Sequence, residues 1–171
     1  MRDSSLEKHP MKAKHPKTKL VKLIIVRHGE YGSDGRLTEF GREQINRLAK
    51  LIAKRIKRHT KKIMVASPAK RTLETADILK EHLNIAFTAE EFLQTDSGVL
   101  SEHKGLLAIE FLSKSVAQLV IFVTHYEYGI YFPSVLASRY LGTCIATREL
   151  SRGAARIICC KSGSMEDIGG R

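Results

Sequence analysis

The sequence predicts a three-layer α/β/α sandwich: a mostly parallel central sheet of about six strands, one of them antiparallel to the rest. Three observations point there. Short runs of continuous apolar, largely β-branched residues, such as Leu23-Ile24-Ile25-Val26 and Leu119-Val120-Ile121-Phe122-Val123, suit strands covered on both faces. Those runs alternate with stretches whose apolar residues recur at helical spacing. Near the end, two strand-like runs are joined only by Ser151-Arg152-Gly153, too short for a crossover helix, so one of them runs against its neighbours.

The elements follow in order. Residues 1–19 hold two of the four prolines, lack apolar periodicity and carry six basic and two acidic residues. They read as a basic flexible arm, solvated rather than bound to nucleic acid. The folded domain is expected over residues 20–162, opening with a buried strand at Leu20–Val26. A polar loop runs from His28 to Leu37. Thr38 then caps a helix with Ile45, Leu48, Leu51, Ile52 and Ile56 on its inner stripe. Between Lys50 and Lys62 lie seven Lys or Arg residues and no acid, an exposed face with snorkelling side chains.

Ile63–Ala66 is a short strand ending in Ser67-Pro68, and a helix over 69–83 places Leu73, Ala76, Leu79 and Leu83 on one stripe. Residues 84–101 read as irregular, with an edge strand near Phe87. A helix over 103–115 precedes the strand Leu119–Thr124, and another is expected from Tyr128 to Tyr140 with Pro133 near its first turns. The strand pair Thr143–Leu150 and Ala154–Cys160 closes the domain, and 163–171 is expected to be a flexible tail.

Composition sets outer bounds. With 171 residues, 43% hydrophobic and 27% charged, the chain is one domain with a substantial core. No apolar run approaches the roughly 18 residues of a membrane span, so no membrane partner is expected. Cys144, Cys159 and Cys160 are odd in number and lack CxxC spacing, against a disulfide framework or a thiolate zinc site. A reducing, cytoplasmic setting is the expectation. The net charge of +11 favours acidic partners, such as a phosphorylated substrate.

In parallel α/β sheets the site lies at the carboxyl ends of the strands. The first strand delivers Arg27-His28-Gly29-Glu30, the second Ser67-Pro68 with Arg71 just beyond, and the third Thr124-His125. Two arginines and two histidines thus converge on one crevice. That set suits phosphoryl transfer: a neutral imidazole attacks phosphorus, and guanidiniums pair with the nonbridging oxygens. The helix beginning near Ala69 adds amide donors. Four basic side chains already supply the positive charge, so no metal or cofactor is called for.

At these residues the sequence resembles the histidine phosphatase, or phosphoglycerate mutase-like, superfamily. Arg27-His28-Gly29-Glu30 resembles its first-strand signature. Asp34-Gly35-Arg36-Leu37-Thr38-Glu39-Phe40-Gly41 resembles its "LT..G" element, and Ser67-Pro68-Ala69-Lys70-Arg71-Thr72-Leu73-Glu74-Thr75-Ala76 its "SP..R..(E/Q)TA" element. Thr124-His125 is similar to the second histidine, and the three elements in order span most of the folded part. The resemblance implies that His28 is the nucleophile and forms a transient phosphohistidine. Arg27 and Arg71 would clamp the phosphoryl oxygens, and His125 would bind and stabilise the same group.

Three positions depart from the pattern. Tyr31 and Asp34 stand where many relatives place Ser or Thr and Asn, and Thr124 replaces a usual glycine. For the general acid, Asp96 is the first candidate and Glu91 the second. The 53 residues between Arg71 and His125 leave little room for a lid. That compactness resembles the short SixA-type phosphohistidine phosphatases, which implies a phosphohistidine-bearing protein as substrate. The alternatives are a small-molecule phosphomonoesterase, a mutase-type phosphotransferase, or an inactive nucleic-acid or protein binding module. The strip from Lys50 to Lys62 has no Phe, Tyr or Trp to stack bases, which weighs against nucleic acid. The sequence sets neither the oligomeric state nor the substrate.

Overall fold

A computed structural model describes residues 19–56, 58–59, 61–95 and 97–170, the side chain of residue 140 excepted. The expected N-terminal arm therefore lies, but for Lys19, outside the described residues. Six strands form one sheet, in the order β3-β2-β4-β1-β5-β6: β1 (Lys22–Arg27), β2 (Lys62–Ala66), β3 (Phe87–Ala89), β4 (Leu119–Thr124), β5 (Ala154–Cys159) and β6 (Met165–Gly169). β1 to β4 are mutually parallel; β5 pairs antiparallel with both β1 and β6, so it is the one strand that runs against the rest.

The helices are α1 (Glu39–Ile56), α2 (Lys70–Leu83), α3 (Glu102–Lys114) and α4 (Tyr126–Leu136), with a 3₁₀ turn at Glu91–Leu93 and a π-helical turn at Ala137–Leu141. Alternation along β1 assigns them to layers. Ile24 and Val26 pack with Ile45, Leu48, Ile52 and Leu79 from α1 and α2. Leu23 and Ile25 face the other way, onto Ala108, Leu112, Tyr128 and Phe132 from α3 and α4. This is the predicted three-layer sandwich, with a core on each face of the sheet. Among the described residues no helix is long and apolar enough to cross a membrane.

Three local contacts hold the β1–α1 loop and the interior of α4. The Gly41 N–H donates to the Thr38 hydroxyl oxygen at 3.0 Å, the expected cap of α1. A Cβ at Gly41 would lie 2.0 Å from the Glu30 carbonyl oxygen, so the β1–α1 loop runs backbone to backbone against the first turn of α1. In α4, Pro133 has no N–H to give the Gly129 carbonyl; buried Arg156 donates to that oxygen instead, at 2.6 Å.

The structure departs from the expectations near the end of the chain. Residues 143–150 join no strand, and the hairpin is formed by β5 and β6. β6 therefore lies inside the segment expected to be a flexible tail. Gly163, at φ +71°, turns the chain, and its N–H donates to the Cys159 carbonyl at 2.8 Å. Arg156 and Asp167, cross-strand partners, form two hydrogen bonds at 2.8 and 2.9 Å, and Ile168 is buried. A segment reading as glycine-rich fraying is held by ion pairs from Arg156 and Arg148 to Asp167 and from Arg55 to Glu166, and by the buried Ile168. α4 also begins at Tyr126, directly after His125, earlier than its apolar spacing suggests.

Candidate active site

β1, β2 and β4 end side by side, and the residues after them meet. The His28 N–H donates to the Thr124 carbonyl and the Ser67 N–H to the Val123 carbonyl. β5, running the other way, begins at this same edge, and its Gly153 N–H donates to the His28 carbonyl at 3.0 Å. Four strands thus brace one crevice. Its pocket, about 110 Å³, is lined by Arg27, His28, Tyr31, Arg71, Thr95, His125, Tyr126, Glu127 and Arg152.

His28 is buried, and its Nδ1 lies 2.8 Å from the Gly29 carbonyl oxygen. A carbonyl only accepts, so Nδ1 carries the proton and Nε2 is unprotonated. Arg71 Nε donates to that Nε2 at 3.1 Å. Burial, followed by the charges of His125, Arg71 and Arg27, pushes the His28 pKa down to about 3, against the favourable hydrogen bond to Gly29. At neutral pH the imidazole is uncharged, as a nucleophile must be.

His125 is fixed by a chain of bonds. The Ser67 hydroxyl donates to Gln94 Oε1 at 2.6 Å, so the 2.8 Å contact between Ser67 Oγ and His125 Nε2 is donated by the imidazole. Nδ1 is then the acceptor, and the Arg71 Nη2 donates to it at 3.1 Å. One guanidinium bridges the unprotonated nitrogens of both histidines, whose ring centres are 5.5 Å apart. Burial first, then the charges of Arg71, Lys104 and Arg27, lower the His125 pKa to about 3.

Arg27 donates from Nη1 to the Leu150 carbonyl at 2.8 Å and lies 4.9 Å from the Tyr126 ring centre. Its Nε is buried with no hydrogen-bond partner among the described residues. A buried guanidinium donor on the wall of the pocket that holds both imidazoles is a group suited to an anionic oxygen. Burial and the nearby Arg152 charge lower its pKa. Among the described residues no three His, Cys, Asp or Glu side chains are grouped to hold a metal ion.

All four basic residues singled out from the sequence, Arg27, His28, Arg71 and His125, therefore meet in one pocket. Of the acid candidates, Glu91 is exposed and off the pocket wall, and Asp96 lies outside the described residues. Asp34 is exposed and accepts the Arg36 N–H at 3.0 Å, closing a turn away from the phosphoryl site. Thr124 is buried, and its hydroxyl donates to the Leu93 carbonyl at 2.8 Å, so the side chain replacing glycine points into the fold.

Sequence reading missed Tyr31 as a pocket wall, and missed Arg152 and Glu127 altogether. Glu127 is buried in the first turn of α4 and accepts from the Thr95 hydroxyl at 2.6 Å and the Gly98 N–H at 3.1 Å. Its signal was its place two residues after His125. Arg152 had only its place in a turn.

A family model described as "Histidine phosphatase superfamily (branch 1)" matches residues 23–104. No curated protein matches the chain. Among solved structures, a mycobacterial glucosyl-3-phosphoglycerate phosphatase with inorganic phosphate is 16% identical, with a TM-score of 0.62, over 86% of this chain and 95% of that one. A putative α-ribazole-5′-P phosphatase from Escherichia coli is 15% identical, TM-score 0.61, over 89% and 96%. A putative phosphohistidine phosphatase, SixA, from Agrobacterium tumefaciens is 16% identical, TM-score 0.56, over 86% and 95%. At such identities the likeness is one of fold.

Proposed function

We propose that the chain, which matches the histidine phosphatase superfamily over residues 23–104, is a metal-independent hydrolase of that type that removes phosphate from phosphohistidine on a protein, through a covalent phosphohistidine on His28. The observation that carries the mechanism is the fixed tautomer of His28, which leaves Nε2 unprotonated beside Arg71.

In the first step Nε2 attacks phosphorus and the bond from phosphorus to the leaving nitrogen breaks, its electron pair staying on that nitrogen; the substrate imidazole, already protonated on its other ring nitrogen, departs neutral. Arg71 exchanges its bonds to the two histidines for bonds to phosphoryl oxygens, and the orphaned Arg27 Nε–H gains an acceptor. The negative phosphoryl group reverses the local field at His125, so Nδ1 takes up a proton from solvent, becomes a charge-assisted donor to a phosphoryl oxygen, and returns that proton to solvent when phosphate leaves. In the second step water attacks phosphorus, the bond to Nε2 breaks, inorganic phosphate leaves and the lone pair is restored.

Two features support a phosphoramidate on a protein. Pockets that enclose a whole small ligand run to about 300–1,000 Å³, whereas about 110 Å³ here accommodates a phosphoryl head and leaves its carrier outside. The carboxylate on the wall, Glu127, already accepts two hydrogen bonds with its two oxygens. A protonated phosphoramidate is the substrate that asks least of a separate acid. Glu127 is also what favours a second reading, a phosphomonoesterase in which it protonates an alcohol.

The test is phosphate release from a phosphohistidine peptide and from phenyl phosphate, by wild type and His28→Ala. The expected result is turnover that vanishes in the variant and a higher kcat/KM for the peptide. Equal or better use of phenyl phosphate would move the assignment to the phosphomonoesterase, and retained turnover in a folded variant would remove His28 as nucleophile.

A further inference from the structure

We infer that Arg152 makes a second anion site at the mouth of the phosphoryl pocket, so that the enzyme selects phosphoryl groups with another negative group close by. The inference rests on the phosphatase reading and extends it to substrate choice.

The placement of Arg152 follows from topology. β5 is antiparallel to β1, so the turn before it arrives at the carboxyl end of the sheet, where the pocket lies. That turn is bolted to the nucleophile's own loop. Gly153 donates its N–H to the His28 carbonyl, and a Cβ there would lie 2.8 Å from Gln44 Cβ, with φ at +66°. Gln44 Oε1 in turn accepts the Glu30 N–H at 3.0 Å. Arg152 and the His28–Glu30 loop are therefore held as one piece.

The side chain returns across this piece to pair with the Glu30 carboxylate through Nη1. Its guanidinium lies 4.9 Å from the centre of the Tyr31 ring, and that of Arg71 lies 4.7 Å from the same centre. Tyr31 also meets His28 edge-on at 5.1 Å. The two guanidiniums are thus no further apart than the sum of their distances to one ring, the span of a phosphoryl group and a neighbouring substituent.

Chemistry separates their tasks. The phosphoryl oxygens already have Arg27, Arg71 and His125. Among the described residues Arg152 makes no hydrogen bond from Nε or Nη2, so part of its fork remains to donate. At 37% side-chain exposure it stands on the rim, in reach of what protrudes from the pocket. Glu30 balances its charge, keeping the rim from holding every anion, and a substrate anion competes with that carboxylate. On a protein substrate the second anion is an acidic side chain flanking the phosphohistidine.

The experiment is calorimetric titration of the whole protein with phenylphosphonate and 3-carboxyphenylphosphonate, which are not hydrolysed, for wild type, Arg152→Gln and Glu30→Gln. Wild type is expected to bind the carboxylated compound roughly tenfold tighter, as one charge-assisted contact provides. Arg152→Gln should erase that ratio and Glu30→Gln should enlarge it. A ratio unchanged in Arg152→Gln, or a wild type without preference, would overturn the second site. Failure of the phosphatase reading shows separately, as absent phosphate release from both the phosphohistidine peptide and phenyl phosphate.

Discussion

At the amino end of the sheet Lys22 and Lys62 both stand opposite Leu119, one strand to either side, and His59 lies near enough that burial and then these two lysines lower its pKa. At the carboxyl end Arg27, Arg71 and Arg152 stand around His28 and His125. Both ends are basic, and the amino end has the larger hollow, about 470 Å³ lined by Lys62, Ile63, Leu83, Asn84, Ile85 and Ala86. The difference lies in what fixes the charges. Among the described residues the Lys22 ammonium makes one hydrogen bond, a long one of 3.4 Å to the Arg55 carbonyl. The arginines at the other end are held by carbonyl, imidazole and aromatic groups in a desolvated crevice. Charge draws an anion near, whereas fixed donors beside a neutral nucleophile let it react.

Arg71→Lys tests that contrast at its sharpest, because it keeps the charge and loses the fork. If fixed geometry separates the two ends, the variant should lose about 10²–10³-fold in kcat/KM, close to the loss in Arg71→Ala. Steady-state kinetics on phenyl phosphate decides it, and a lysine variant within a few-fold of wild type would break the comparison.

Desolvation is the second element of the contrast, and it has a pH signature. His28 and His125 have folded pKa values near 3, below the ordinary value of 6.5. Between those values the unfolded chain binds protons that the folded one refuses, so stability falls as pH drops from about 6.5 towards 3. At pH 5 each histidine should account for about 2 kcal/mol of that loss relative to pH 7.5. Urea unfolding of His28→Asn at the two pH values should show a loss smaller by about that amount. An identical loss would mean that His28 is not held neutral by burial.

How much of this was legible in the sequence depended on range. The β1, β2 and β4 runs are apolar because both faces are covered, and their ends carry Arg27, His28, Arg71 and His125 within motifs, so a one-dimensional reading finds them. Arg152 enters the pocket because β5 reverses direction, and that consequence belongs to the assembled sheet. Glu127 sits in the first turn of a helix that its apolar spacing started later. β6 was lost because one inward residue, Ile168, and the ion pairs of Glu166 and Asp167 with distant arginines replace the usual alternating run. Asp34 was close to the motif in sequence, yet its carboxylate turns back on the Arg36 N–H.

The amino end offers the gentlest test, because there charge acts without a pocket. Lys62→Gln removes one of the two lysines that lower the His59 pKa, leaving burial, the larger cause, in place. The His59 pKa should therefore rise while staying below its ordinary value, and NMR titration of the imidazole reads it directly. Stability should change by no more than about 0.5 kcal/mol, as for a surface substitution outside any network. A His59 pKa that stays put would mean that solvent screens these lysines completely. A return to the ordinary value would mean that charge, rather than burial, governs this end too, and that the two ends of the sheet differ less than their geometry indicates.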